Sequence, residues 1–483
     1  MGSLGRLAAG LAVALVTWEC GGRSAVKPFG RSSDASGGSS GAAGSTASGG
    51  ASSGGTGTGA TGGSSVGGAF GGTASGGVAG VGAAGAAAGV GGVGGRAGSA
   101  GVSGGGSAGE GGLAGEGGTP GEGGEGGGGD APYALGLALG AFHSCARFAD
   151  GTLRCWGTSG YIGSGNTATI GDNETPEGLP PVVIGGAVME VVAGWYQTCA
   201  RLEAGNVRCF GRGGDWGLLG YGNTDDVGDD ETPTAVGDVN VGGPARSLSA
   251  GPNHTCAVLT DGALRCWGRN GDFQLGRPGG TVGDDEAPAS VPAIEVGEAV
   301  LDVATGFAHT CAVITGNRVR CWGNGYAGRL GYGNTRTIGD DETPASAGDV
   351  DVGGPVRALV AGAVHTCALL MDRTVRCWGS GETGVLGYGN TQTIGDDETP
   401  ASAGPVDVGG RVAELAAGDF ATCARLVDGN LRCWGSGERG ELGHGDTTTI
   451  GDDETPASVD LVDVGPAPDT LDVGFLHVCA TLL

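Results

Sequence analysis

The sequence predicts an all-β protein. The expected architecture is a β-propeller of about seven four-stranded blades behind a long glycine-rich N-terminal tether. Three observations carry this expectation. One unit recurs along residues 131–483, with its first cysteine at Cys145, Cys199, Cys256, Cys311, Cys367, Cys423 and Cys479, in steps of 54, 57, 55, 56, 56 and 56 residues. A period of that size marks one supersecondary unit stacked on its copies. Each copy holds short runs rich in β-branched and aromatic residues, such as "HTCALL" and "VRCWG", joined by turns such as "ADG", "TDG" and "VDG". No stretch sustains a helical period, and four-stranded units of this length repeated radially describe a propeller.

In chain order, residues 1–20 come first. Arg6 precedes an apolar run from Leu7 to Val16, too short to span a membrane and of the length of a signal-peptide core. Cys20 follows and is the candidate for lipidation, although Glu19 stands where a bacterial lipoprotein signal carries a small residue. Residues 21–130 are dominated by glycine, alanine and serine, with almost no large apolar side chain, so burial cannot offset the entropy of ordering. This segment reads as a disordered tether. As a random coil, about 100 such residues span on the order of 50–60 Å.

The repeats start near Tyr133, at the first strand of a unit. "VDVGG" and "RVAELAAG" add two short strands to the cysteine hairpin, which gives four per unit. The seventh unit stops at "LDVGFLHVCATLL". Seven blades with an incomplete last blade are expected, with six blades and an overlapping terminal strand as the alternative.

The pattern "GxxHTCAL…DGxVRCWGxGxxGxLGxG" resembles the repeat of the regulator of chromosome condensation family. That resemblance implies a seven-bladed propeller over Tyr133–Leu483. It also implies nucleotide exchange on a nuclear GTPase, which fits poorly with the signal-like start, the acidity and the cysteine content. The same fold serves unrelated tasks, so function must be argued from sites.

Six cysteine pairs share a ten-residue spacing across a hairpin turn: Cys145 and Cys155, Cys199 and Cys209, Cys256 and Cys266, Cys311 and Cys321, Cys367 and Cys377, Cys423 and Cys433. Facing positions on adjacent strands suit disulfides, and an exported setting favours them. The rival readings are zinc, which needs four converging ligands, and reduced core thiols. Cys479 opens the truncated unit, its hairpin partner expected beyond Leu483.

The chain has 52 acidic and 25 basic residues, a net charge of −27. Seven of the acidic and five of the basic residues lie at or before Asp130, leaving 45 acidic and 20 basic residues in the repeats. Such a charge repels nucleic acid and anionic lipid, so neither is expected as a partner, and the membrane is met only through the N-terminal anchor.

Other positions recur. His143, His254, His309, His365 and His477 share one place, taken by Gln197 and Ala421 elsewhere. They read as structural hydrogen-bond donors rather than a metal ring, because two units lack them. Trp156, Trp267, Trp322, Trp378 and Trp434, with Phe210, read as blade packing. Arginines before the second cysteines, such as Arg376 and Arg432, are expected to pack or pair with acids between blades. "IGDDETP" and its variants occur six times. They read first as turns. Calcium is a rival because hard cations want several oxygens, against the expectation that three adjacent carboxylates cannot face one ion. An acidic partner-binding rim is the third reading. No other cofactor and no metal site is expected.

Function belongs where repeats differ. The two residues after "AG" vary, and the second unit is the most unusual. Trp195, Tyr196, Trp216, Phe307 and Phe420 are the candidate partner-binding residues, since aromatic side chains anchor interfaces. The expected function is an exported, envelope-tethered protein–protein interaction module without catalytic activity. Its partner is an unidentified protein, and its place is the bacterial outer membrane or cell surface as a lipoprotein, otherwise the secreted fraction. The alternatives are an envelope polysaccharide lyase or hydrolase, for which His444 is the one faint candidate, and a calcium-dependent structural surface protein. The oligomeric state is left open.

Overall fold

The structure is a computed structural model that describes residues 133–172 and 179–482. The signal-like segment with Cys20 and the tether lie outside these residues. Blade 1 holds β1 (Ala134–Leu139), β2 (His143–Phe148) and β3 (Leu153–Gly157). Blade 2 holds β4 (Val188–Ala193), β5 (Gln197–Leu202) and β6 (Val207–Gly211). Blade 3 holds β7 (Ala245–Ala250), β8 (His254–Leu259) and β9 (Leu264–Gly268). Blade 4 holds β10 (Val300–Thr305), β11 (His309–Ile314) and β12 (Arg318–Gly323). Blade 5 holds β13 (Val356–Ala361), β14 (His365–Leu370) and β15 (Val375–Gly379). Blade 6 holds β16 (Val412–Ala417), β17 (Ala421–Leu426) and β18 (Leu431–Gly435), and blade 7 only β19 (Pro468–Val473) and β20 (Val478–Leu482). Every sheet is antiparallel, and each first strand carries a register shift after its first residue.

The expected fourth strand is not formed as a strand. Its segment touches the third strand only through isolated bridges, such as Val319 with Val350 and Leu431 with Val462. In blades 2, 4 and 5 glycines at positive φ bracket the segment, as Gly348 and Gly353 do in blade 4, whereas in blades 3 and 6 a glycine ends it on one side only, Gly297 and Gly465. A ladder cannot run through backbone that turns at both ends.

The first strands form a closed ring: β1 packs on β4, β4 on β7, and so on to β19, which packs back on β1. Among the described residues the seventh blade therefore closes the ring with two strands and shares none with the first. At this seam the Leu139 amide donates to Asp472 Oδ2 at 2.8 Å, and Ser144 Oγ meets His477 Nε2 at 3.2 Å. The closure has a steric condition. A Cβ added to Gly140, Gly194, Gly251, Gly306, Gly362 or Gly418 would overlap the carbonyl oxygen of the matching glycine in the next blade. Glycine stands at this position in all seven blades because the backbones meet there.

The blade-to-blade joints are built from the recurring residues. Thr310 Oγ1 donates to the Gln274 carbonyl at 2.8 Å, so the His254 Nε2–H is the donor in its 2.7 Å bond to that threonine. His143 with Thr198, His309 with Thr366 and His365 with Thr422 repeat the joint. Gln197 replaces it with a 3.0 Å bond from its amide to the Gly251 carbonyl. The indole N–H of Trp267, Trp322, Trp378 and Trp434 donates to a loop carbonyl of the preceding blade at 2.9–3.1 Å. These four rings and Phe210 are fully buried. The cysteines of all six hairpin pairs are directly opposed and disulfide-bonded, with Cα atoms 4.0–4.1 Å apart. The arginines before the second cysteines meet the expectation in part: Arg208 and Arg320 reach across to the Ile184 and Val296 carbonyls of the preceding blade, while their acidic partners lie within their own blade. Arg432 donates to the Pro456 and Val459 carbonyls of its own blade's return loop, both at 2.6 Å. Arg208 and Arg320 pair with Asp238 and Asp349 on their own return loops.

Burial keeps the joint histidines neutral, pushing His143 down to about 4 and His254 and His365 down to about 3. A depressed folded value means stability that is present above the ordinary value of 6.5 and is lost as pH falls below it. His365→Gln, with Gln197 as its natural precedent, should make stability less acid-sensitive below pH 6.5 by roughly 1.4 kcal/mol per pH unit, read from urea midpoints. Gly306→Ala should destabilise the propeller by about 2–3 kcal/mol, whereas Gly280→Ala, whose Cβ would meet nothing, should be near neutral.

Candidate partner-binding face

Each first strand ends at the axis, and the loop that follows carries the variable pair. The third strand returns to the same end of its blade, as the pairing of Gln197 with Gly211 shows. One face of the ring therefore collects the first-to-second-strand loops and the long loops after the third strands.

At the centre of this face lies Trp195. Its ring meets Phe307 of blade 4 and Phe475 of blade 7, each with centroids 5.4 Å apart, and Tyr196 at 6.2 Å. Its indole N–H donates to Asp419 Oδ2 of blade 6 at 2.9 Å. One side chain of blade 2 thus ties together blades on the far side of the axis. It also lines an axial cavity of about 50 Å³ to which all seven blades contribute, among them Pro252, Gly362 and Asp419. From Tyr196 the aromatic surface runs outward. Tyr196 stacks on Phe142 at 5.6 Å, and Tyr161 meets Phe142 and Tyr196 at 6.2 and 5.9 Å. Phe142 is 48% exposed.

Of the residues singled out from sequence, Trp195, Tyr196 and Phe307 come together. Trp216 stands apart, on a one-turn helix (Gly214–Trp216) with the Arg269 guanidinium over its ring at 5.8 Å. Phe420 is exposed beside Asp419, with no ring contact among the described residues. Phe142, Tyr161, Phe475 and Asp419 join the surface and were not singled out for it. Three of them occupy the variable pair. Tyr161 sits in a long loop shortened by two residues, Gly157–Gly163 against Gly379–Gly387 in blade 5.

Burial pushes the Asp419 carboxyl up to about 7, against the opposing effect of the Trp195 hydrogen bond. A carboxyl with a raised folded value contributes stability below its unfolded range that is lost as pH rises through 7. Trp195 emission should therefore change with a midpoint near pH 7, and Asp419→Asn should abolish that titration while gaining stability relative to wild type at pH 8.

The acidic loops correct an expectation. The carboxylates of Asp229, Asp230 and Glu231 converge, as do those at 284–286, 340–342, 396–398 and 452–454, each set offering ligand atoms within 4.8 Å of one another. Burial first, then the neighbouring aspartates, pushes Glu286, Glu342 and Glu398 up to about 7. The first copy of this loop lies largely outside the described residues. His444 carries a buried Nε2 without a hydrogen-bond partner among the described residues.

Fold and face define a seven-bladed propeller repeat protein with an aromatic centre on one face. It carries repeats of the regulator of chromosome condensation: the profile of the regulator of chromosome condensation (RCC1) repeat matches residues 136–161, 245–274, 300–329 and 412–441, and a second profile of that name matches 261–313. The chain is similar to the ultraviolet-B receptor UVR8 of Arabidopsis thaliana, 35% identical over 202 residues, 42% of this chain and 43% of that protein. It is similar to protein pim1 of Schizosaccharomyces pombe, 27% identical over 337 residues, 64% of this chain and 60% of that protein. The match thus spans less than two thirds of either relative. Yeast RCC1 (Prp20), solved bound to Kap60, shares the fold at a TM-score of 0.57 and 18% identity, covering 72% of this chain and 80% of that one. Human WBSCR16 does so at 0.57 and 17%, covering 72% and 86%.

Proposed function

We propose that this chain is a non-catalytic protein-binding module that engages its partner with the aromatic centre of one propeller face. The observation that carries the reading is the convergence of Trp195, Tyr196, Phe307, Phe475 and Phe142 from blades 1, 2, 4 and 7. The repeat places no aromatic requirement on these positions: other blades carry Pro252-Asn253 and Ala363-Val364 there. Aromatic side chains clustered at the middle of a face are the composition of an interface core. Yeast RCC1, of the same fold, was solved with a protein partner, Kap60. We further propose that the module is exported and held at the cell envelope through its N-terminal segment. The six hairpin disulfides favour an oxidising compartment.

The test is capture by the full oxidised chain from the producer's envelope and secreted proteins. A specific partner should be retained by the wild type and by Trp216→Ala, and lost by a Trp195→Ala/Tyr196→Ala/Phe307→Ala variant. A partner held equally by the triple variant contradicts the face.

Calcium is a second reading, favoured by the five converging carboxylate sets. A hard cation relieves such repulsion. Calcium should then raise Tm at pH 8 more than at pH 5, where protons already neutralise part of the cluster. No calcium-dependent shift at either pH contradicts it.

A further inference from the structure

We infer that the Phe142–Tyr161–Tyr196 cluster receives an arginine side chain of the partner, so that the protein recognised here presents a cationic peptide segment. The inference rests on the protein-binding reading and names the chemistry of its occupant.

Exposed aromatic rings in the long loops of this face already show how the face treats such rings. The Arg269 guanidinium lies 5.8 Å from the centre of Trp216, and the Arg329 guanidinium 5.9 Å from that of Tyr326. The cation over Trp216 comes from the loop of the next blade, and the cation over Tyr326 from the ring's own loop. The rings of Phe142, Tyr161 and Tyr196 lie within 5.6–6.2 Å of one another, and Phe142 is 48% exposed. Among the described residues no guanidinium stands over any of them. An aromatic π-face attracts a cation most strongly where water is partly excluded. A planar guanidinium stacks on such rings better than a compact ammonium does.

Charge selects the same occupant. The chain carries a net charge of −27, so a cationic segment is drawn in and an acidic one repelled. A neutral glycan would use the rings but gain nothing from this charge.

The experiment uses the full chain and a six-residue peptide alternating glycine and arginine, with a second peptide carrying citrulline, the neutral isostere, in place of each arginine. Binding is read by isothermal titration at physiological salt, which screens distant charges. The arginine peptide should bind, the citrulline peptide should bind about tenfold more weakly, and Phe142→Leu/Tyr161→Leu should lose about as much. Phe142→Leu alone, at a half-exposed position, gives a second variant free of folding effects and should lose several-fold. Trp216→Ala should bind as wild type. The inference is overturned if the two peptides bind alike, if the leucine variants bind the arginine peptide undiminished, if the arginine peptide does not bind, or if cellohexaose binds in its place with the same dependence on Phe142. Each of these results leaves the protein-binding reading standing when the captured partner still requires Trp195 and Tyr196. That reading fails separately, when no partner requires them.

Discussion

Seven blades must meet around one axis, and they do so backbone against backbone. At the end of every first strand a glycine lies against the carbonyl of the matching glycine in the next blade, closing from Gly474 back to Gly140. Any side chain here would push the blades apart, so the ring size, the joint geometry and the central opening all depend on this contact. The histidine–threonine and tryptophan–carbonyl bonds work only because the glycines set the spacing between blades. Their donors are buried, so each must be satisfied from the neighbouring blade.

The same constraint creates the aromatic face. The residues just after the glycine ring are held close to the axis but are not needed to build it. A side chain there can reach several blades at once, as Trp195 does with Phe307, Asp419 and Phe475. The aromatic centre is therefore rigid, because its anchor is tied to blades on both sides of the axis. Rigid, half-exposed aromatics lose little entropy on binding. The disulfides, buried within each hairpin, stiffen the strands that carry these loops.

Much of the fold was legible because one unit repeats. Period, hairpin turns and opposed cysteines give the blades, and the shared histidine position gives the joint. The fourth strand was misread because "VDVGG" has strand-forming residues, while the glycines that cut it short act through backbone conformation. The convergence of the acidic loops was missed on local grounds. Adjacent carboxylates point apart on an extended chain, but the turn entered through Gly339 at positive φ brings Asp340, Asp341 and Glu342 together. Part of the face was legible, since Trp195, Tyr196 and Phe307 break the repeat. Tyr161 was hidden because its contact with Phe142 and Tyr196 depends on a shortened loop folding across two blades. Asp419 was hidden because its partner is on the opposite side of the ring. The place of Trp216, apart from this cluster and under the Arg269 guanidinium of the next blade, was not legible because that contact joins two blades.

The most direct measurement is site-specific photocrosslinking in the producing cell. A photoreactive residue is placed at Tyr196 on the aromatic face, and at Val427, an exposed hairpin turn at the other end of blade 6, as the reference. The account predicts one discrete protein adduct from position 196 and none from 427. Adducts from 427 alone, or equal yields from both, would contradict recognition through the aromatic centre.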